Sequence, residues 1–338
     1  MITIQKQAAP SQKQAYLLRD SNGERQLINK QVIKILADAK STGNLFGLVQ
    51  ITGSKGEESP LHLHHTQHEA IYVTDGLLQL TINNKKHMLA SGDYAHLPAG
   101  TVHQYVLLRN RTKFYSFTTG GYHADLYREL GETHAYMEPL TGTATSSITS
   151  KELDKLDDFD IRLVDESMQG PQAIVLQEGG ELPDTSTPYV IEAGAGEGML
   201  AADQLFTFLA TQATTDEQFL ALTTEGYPGE AIPPHYHEKH TECFLCLEGR
   251  MTMWAGDEEF HLEKGDFLHV PANTEHSFKL DSPYTKFIGF LASGLFEQFF
   301  RLLGEPYAYS ELPKQPGAFS FQRVLENIDE LDLKFPQR

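Results

Sequence analysis

Two stretches of this 338-residue chain carry the same set of side chains able to hold a metal ion. His62-Leu63-His64 is followed by Glu69 and, after the run Leu97-Pro98-Ala99-Gly100-Thr101-Val102, by His103. His235-Tyr236-His237 is followed by Glu242 and, after Val270-Pro271-Ala272-Asn273-Thr274-Glu275, by His276. Three imidazoles and a carboxylate form a donor set of intermediate softness, suited to a divalent transition ion such as manganese, iron, cobalt, nickel, copper or zinc. An octahedral ion held this way keeps two positions open for substrate, oxygen or water. Open positions separate a catalytic site from a closed structural one. A lone His-x-His on a strand is more often surface or satisfied core than a metal site. Recurrence of all four residue types in two copies reverses that balance.

The spacing says what must position these groups. On a strand, residues two apart face the same way, so His62 and His64 can both point into a barrel. Glu69 reaches the same interior from the next strand, and His103 arrives by antiparallel pairing. The second set follows the first at a constant offset of 173 residues. The same offset superposes Tyr16 on Tyr189, Phe46 on Phe219, Thr112-Lys113-Phe114 on Thr285-Lys286-Phe287, and Leu130-Gly131-Glu132 on Leu303-Gly304-Glu305. One ungapped register from residue 16 to about 138 marks two copies of one structural unit. The expected division is a first domain over 1–140, a connector over 141–188 and a second domain over 189–338 with a helical tail.

Within each copy, short alternating runs end in turn residues, the texture of an antiparallel sandwich or barrel. Asp75-Gly76 and Glu248-Gly249 read as hairpin turns. Helices are expected at Ala124–Leu130, Leu295–Leu303 and the tail around Val324–Leu331, with Gly131 and Gly304 as helix caps. The polar run from Thr141 reads as loop, with a short helix in the charged segment after it. The tail beyond about 312 is expected outside the repeat.

A formal charge of −19 excludes most nucleic-acid and anionic-membrane partners, since like charge repels. No apolar run is long enough to span a bilayer, and the residues from Met1 lack the pattern of a signal peptide. Cys243 and Cys246 are the two cysteines, which leaves no disulfide framework. Three apart on a strand, they face opposite ways and read as buried structural residues of a cytoplasmic protein. Among the other histidines, His65, His68 and His240 read as supporting or surface residues. His96 and His269, which recur at the offset, read as outward or packing residues. By strand parity Ile71, Val73, Tyr105, Phe244 and Phe278 face inward, where a planar aromatic substrate would use the same apolar surface as the barrel core.

The chain resembles the cupin superfamily. Gly56, His62, His64, Glu69 and Gly76 match the first cupin motif, as do Gly229, His235, His237, Glu242 and Gly249. Gly92, Pro98, Gly100 and His103 fit the second motif with Leu107 in place of its terminal Asn. Gly265, Pro271 and His276 fit it with Asn273 for Gly and Leu280 for Asn. Further runs, among them Tyr16-Leu17-Leu18-Arg19, Leu247–Trp254 and Gly294–Arg301, are similar to the bacterial quercetin 2,3-dioxygenase family. The resemblance implies an all-β fold of two tandem cupin barrels (double-stranded β-helix, or jelly roll) with a few short peripheral helices. It also implies one divalent ion per barrel, from manganese, iron, cobalt, nickel or copper, with iron or manganese favoured. The implied activity is a dioxygenase that opens the central ring of flavonols such as quercetin, adding O2 and releasing carbon monoxide and a depside. His62, His64 and His103 would hold the metal, and Glu69 would both ligate and accept the substrate proton. His235, His237, His276 and Glu242 would do the same in the second barrel. The partners implied are a flavonol and O2, with a homodimer as the assembly allowed for. Manganese-dependent oxalate decarboxylase or oxidase shares the ligand set, but needs a small polar pocket with a cation. A non-catalytic metal-binding cupin is the remaining alternative, and such proteins commonly lose ligands, whereas both sets here are intact.

Overall fold

The computed structural model describes residues 3–5, 8–139, 155–165, 167, 168, 170–317 and 320–337. The polar run from Thr141 lies outside the described residues. Each half is a sandwich of a large and a small antiparallel sheet, the expected jelly-roll barrel. In the first, the large sheet runs Arg25–Ile28, Gln31–Ala37, Phe46–Gly53, Thr112–Thr119, Glu69–Asp75, Tyr94–Leu97. The small sheet facing it contains His62–His64, His103–Leu107, Leu77–Ile82 and Lys85–Ala90. The second half repeats the large sheet with Gln204–Ala210, Leu220–Gly226, Thr285–Ala292, Thr241–Glu248 and Phe267–Val270 at its centre. Among the described residues no helix is long and apolar enough to cross a membrane.

The halves exchange strands. Tyr16–Leu18 pairs antiparallel with Phe267–Val270 of the second barrel. Tyr189–Ile191 pairs in the same way with Tyr94–Leu97 of the first. The apolar core between the barrels is correspondingly symmetric. The Tyr16 hydroxyl donates to the Leu36 carbonyl at 2.8 Å, and the Tyr189 hydroxyl donates to the Leu209 carbonyl at 2.8 Å. Phe117 and Phe290, equivalent at the 173 offset, stack on each other with ring centroids 4.6 Å apart. His96 and His269, both fully buried, lie in this interface and pack there, as expected.

Three local expectations change. Asp75-Gly76 does not close a hairpin: Glu69–Asp75 pairs within the large sheet and Leu77–Ile82 within the small one, so Gly76 is a corner between sheets. Its φ of +87° needs glycine, and a Cβ would lie 2.7 Å from Thr112 Cα. The true hairpin follows at Asn83-Asn84, both at positive φ, joining Leu77–Ile82 to Lys85–Ala90. Gly131 and Gly304 end their helices, His123–Leu130 and Glu297–Leu303, but in extended rather than left-handed conformation. Glycine is required there by close approach, since a Cβ on Gly131 would meet the Tyr127 carbonyl at 2.7 Å.

The third change concerns the tail. In place of one amphipathic helix there is a helix over Gln322–Glu326, a tight turn over Ile328–Glu330 and then Leu331–Leu333, buried against the second barrel. The connector has the same design, with a tight helical turn at Leu156–Phe159 followed by Ile161–Leu163 paired to His62–His64. Leu156–Leu163 and Ile328–Phe335 match chemically position by position at an offset of 172. The repeat therefore extends into segments expected to lie outside it.

Candidate metal centres and the cavity beside one of them

In the first barrel His103 lies directly across the ladder from His62. Glu69 opens its strand opposite Leu97 and Thr118. The register brings His64 Nε2 and His103 Nε2 to 3.3 Å and 3.0 Å from Glu69 Oε2. One donor atom from each of His62, His64, Glu69 and His103 lies within 4.8 Å of all the others. In the second barrel His235 and His276 bridge in the same way. The donor atoms of His235, His237 and His276 meet the same distance, and His276 Nε2 is 3.1 Å from Glu242 Oε2. The second motif's departure is absorbed: Asn273 adopts φ +65° where Gly100 has +78°.

All six imidazoles spend one nitrogen on the backbone. Because a carbonyl can only accept, Nδ1–H is the donor. His62 donates to Pro60, His103 to Thr101, His235 to Pro233 and His276 to Thr274, each at 2.9 Å. His64 donates to the Asp160 carbonyl and His237 to the Asp332 carbonyl. This fixes the tautomer and turns every Nε2 lone pair inward, as the hydrogen bond on the far nitrogen does for a histidine that binds a metal. Nε2 and carboxylate oxygen then face each other as two acceptors, a juxtaposition that a cation between them relieves. Buried His237 Nε2 has no hydrogen-bond partner among the described residues and faces Glu242 Oε1 at 3.5 Å.

The protonation states fit as well. Burial, then the neighbouring His103 and His64, holds His62 well below the usual imidazole range. Burial with His276 and His237 lowers His235 to about 3, and burial is also the main cause that lowers His237 to about 4. Burial works to raise Glu69, but His103 and His64, when a proton sits on the Nε2 that faces it, outweigh burial and hold the carboxyl well below its ordinary value; a bound cation would take the place of those protons. Glu242 is likewise held low against burial by His237, His240 and His276. Neutral imidazoles beside an ionised carboxylate are what a divalent ion requires. The His/Glu clusters of both halves are metal-binding.

Several neighbours of these centres carry no signal at the 173 offset. Asp160 and Asp332 arch over the ligand loops: the Asp160 carboxylate accepts from the Thr66 and Gln67 amides, and that of Asp332 from the Glu238, Lys239 and His240 amides. The 172-residue match of their segments is the signal that finds them. His240 donates from Nδ1 to Asp332 at 2.8 Å and reaches to 3.5 Å from Glu242, a supporting role as expected. His68 turns instead to the interface, facing His96 and Asp216, and His65 is exposed. His123, absent from the sequence reading, packs against His64 with ring centroids 4.6 Å apart, and neither of its nitrogens is hydrogen-bonded among the described residues. Its counterpart is Phe296.

The barrels differ most in what lies beside the centre. A cavity of about 790 Å³ in the second barrel reaches His235, Glu242 and His276. Phe244 and Phe278 line it, as parity predicts, joined by Phe206, Phe287, Phe296 and Phe300, and among the described residues no Lys or Arg is in its walls. Ile71, Val73 and Tyr105 do not line this cavity. Ile71 and Val73 are fully buried in the first barrel's core, and Tyr105 packs on Phe114 there. At Gly289, which lines the second cavity, the first barrel has Ser116, whose hydroxyl donates to Glu69 Oε1 at 2.6 Å. Cys243 and Cys246 are free, and both are buried. They fall in separate core clusters, as strand parity required.

Comparison with known proteins agrees with this architecture. The family described as "Cupin domain" matches residues 51–113 and 224–285. The chain is 46% identical to the quercetin 2,3-dioxygenase of Bacillus subtilis (strain 168) over 336 residues, 99% of each chain. It is 33% identical to the quercetin 2,3-dioxygenase of Aspergillus japonicus over 132 residues, 37% of this chain and 38% of that one. Among solved structures it is similar to a variant of the oxalate decarboxylase of Bacillus subtilis, with TM-score 0.55 and 15% identity over 85% of this chain and 79% of that one. That likeness is one of fold.

Proposed function

Because the chain belongs to the quercetin 2,3-dioxygenase family, we propose that it adds dioxygen to flavonols such as quercetin, opening the central ring and releasing carbon monoxide and a depside. The observation that carries this reading is the phenylalanine-walled cavity beside Glu242. Its volume suits a planar three-ring substrate, since pockets for molecules of that size run to several hundred Å³. Walls without Lys or Arg suit a neutral aromatic molecule and disfavour a small dianion such as oxalate.

His62, His64, Glu69 and His103 hold one divalent ion and His235, His237, Glu242 and His276 a second, with iron or manganese favoured over cobalt, nickel and copper. When bound, such an ion supplies Lewis acidity and a template for oxygen and substrate. The protein's own residues do the rest. Glu242, ionised at neutral pH, accepts the proton of the substrate's 3-hydroxyl, and Glu69 has the same chemistry in the first barrel. Gly289 in the place of Ser116 leaves Glu242 free of the hydroxyl bond that occupies Glu69. The aromatic walls orient the ring system and exclude water from the proton-transfer step. The cavity supports the second barrel as the one that takes the flavonol. Two free, buried cysteines suit a reducing, cytoplasmic setting.

The test is anaerobic reconstitution with each candidate metal, then aerobic assay of quercetin bleaching with carbon monoxide detection, and oxalate in parallel. Bleaching with carbon monoxide release is the expected result. Oxalate turnover, or no bleaching with any metal, overturns the proposal.

A further inference from the structure

Both barrels carry a glutamine at equivalent positions, Gln31 and Gln204. In the first barrel the Tyr105 hydroxyl donates to Gln31 Oε1 at 2.8 Å, so the amide is satisfied from within the protein. In the second barrel Tyr105 is replaced by Phe278, which has no hydroxyl. Gln204 is 8% exposed and lines the cavity, and its side-chain amide has no hydrogen-bond partner among the described residues. The amide opens onto the cavity, where a polar group of a ligand can pair with it.

A second polar group stands beside it. Gln204 pairs with Gly226 and Phe206 with Thr224, which makes Gln204 and Thr224 diagonal neighbours on one face of the sheet. Thr224, 2% exposed, also lines the cavity, and its hydroxyl too lacks a partner among the described residues. Its first-barrel counterpart is apolar Ile51. Gly226, opposite Gln204, offers no side chain to cover the amide.

The ladder register also gives the direction. Glu242 lies beside Leu291, and Leu291 beside Leu220, at one end of the Leu220–Gly226 strand. Gln204 lies beside Gly226 at the other end. The carboxylate and the amide therefore lie toward opposite ends of the Leu220–Gly226 strand, on the cavity that both line. A flat molecule with polar groups at both ends matches a cavity with a carboxylate toward one end and an amide toward the other.

We propose that Gln204, assisted by Thr224, is a specificity-determining residue that hydrogen-bonds a phenolic hydroxyl on the part of the flavonol directed away from Glu242. A phenol both donates and accepts, and so do the amide and the threonine hydroxyl. This rests on the flavonol reading above and adds to it the residues of the second barrel that distinguish a flavonol with outer-ring hydroxyls from one without.

The test compares wild type, Gln204→Met, Thr224→Val and Gln31→Met on quercetin and on 3-hydroxyflavone, which has no outer-ring hydroxyls. Gln204→Met is expected to raise KM for quercetin about tenfold with kcat nearly unchanged, Thr224→Val by a smaller factor in the same direction, and neither to raise KM for 3-hydroxyflavone. Gln31→Met leaves the ratio between the two substrates as in wild type. Fluorescence-quenching titration of quercetin into the metal-free proteins should show the same loss of affinity for Gln204→Met. Should Gln204→Met not fold, Thr224→Val carries the test. Equal effects on both substrates, or none on quercetin, overturn the inference while leaving the flavonol activity standing. A wild type inert toward both substrates overturns the flavonol reading itself, and this inference with it.

Discussion

Each ligand histidine is aimed by a hydrogen bond to a carbonyl, and two of the six carbonyls come from aspartates that also cap the ligand loops. Asp332→Ala removes the acceptor for three loop amides and for His240. Metal affinity of the second centre is expected to fall 10–100-fold, the usual cost of losing such support, with the first centre unaffected. Competition with a chelator of known affinity measures this. Glu242→Gln, in protein verified to retain metal, is expected to cut kcat for quercetin by about 100-fold or more, as loss of a general base does. Glu69→Gln should cost much less, because the cavity reaches Glu242. Comparable losses in the two variants would count against the second barrel as the principal site. The eight ligand-type residues were legible because strand parity and a constant offset leave little freedom. Asp160 and Asp332 were not, since their segments repeat one residue out of register with the rest. His123 could not be found at all, because it becomes a neighbour of His64 only through packing of the His123–Leu130 helix, and its counterpart is phenylalanine.

At the level of strands and turns, the jelly roll was readable from short alternating runs, yet the partner of each run was not. Asp-Gly between two apolar runs is a fair hairpin signal, but positive φ at one glycine also serves a corner where the chain leaves one sheet for the other. What decides between them is the long-range pairing of Glu69–Asp75 with Thr112–Thr119, invisible to local pattern. Gly76→Ala combines a left-handed backbone with a Cβ 2.5 Å from Thr112 Oγ1. The expected loss is about 2–4 kcal/mol in urea unfolding. Gly256→Ala, at φ +57° with nothing within 4 Å, isolates the backbone term and should cost only about 1 kcal/mol.

Across the whole molecule, the two barrels meet through a core that contains neutral, buried histidines. Burial and the neighbouring His68 lower His96 to about 3, and burial with Lys13 lowers His269 to about 4. The unfolded chain takes up protons at both residues below about pH 6.5, where the folded protein refuses them, so stability falls as pH drops through that range. Between pH 7 and 5 the metal-free protein should lose about 1–2 kcal/mol for each of these residues, on top of what the ligand histidines contribute. Thermal melts of His96→Gln and His269→Gln should have a shallower pH dependence than wild type. A slope equal to that of wild type would mean that neither residue stays neutral in the fold. The duplication was plain in sequence, but the reciprocal loan of Tyr16–Leu18 and Tyr189–Ile191 was not, since each strand sits near a boundary that a linear repeat draws straight. That loan orders events during synthesis on the ribosome. The first barrel's sheet stays incomplete until residue 191 has emerged, and residues 16–18, among the first made, have no docking site until 267–270 appear near the end. A nascent chain halted between the two barrels would hold an unfinished sheet edge and an idle leading strand, so the gene duplication that produced two units also tied them into one folding event.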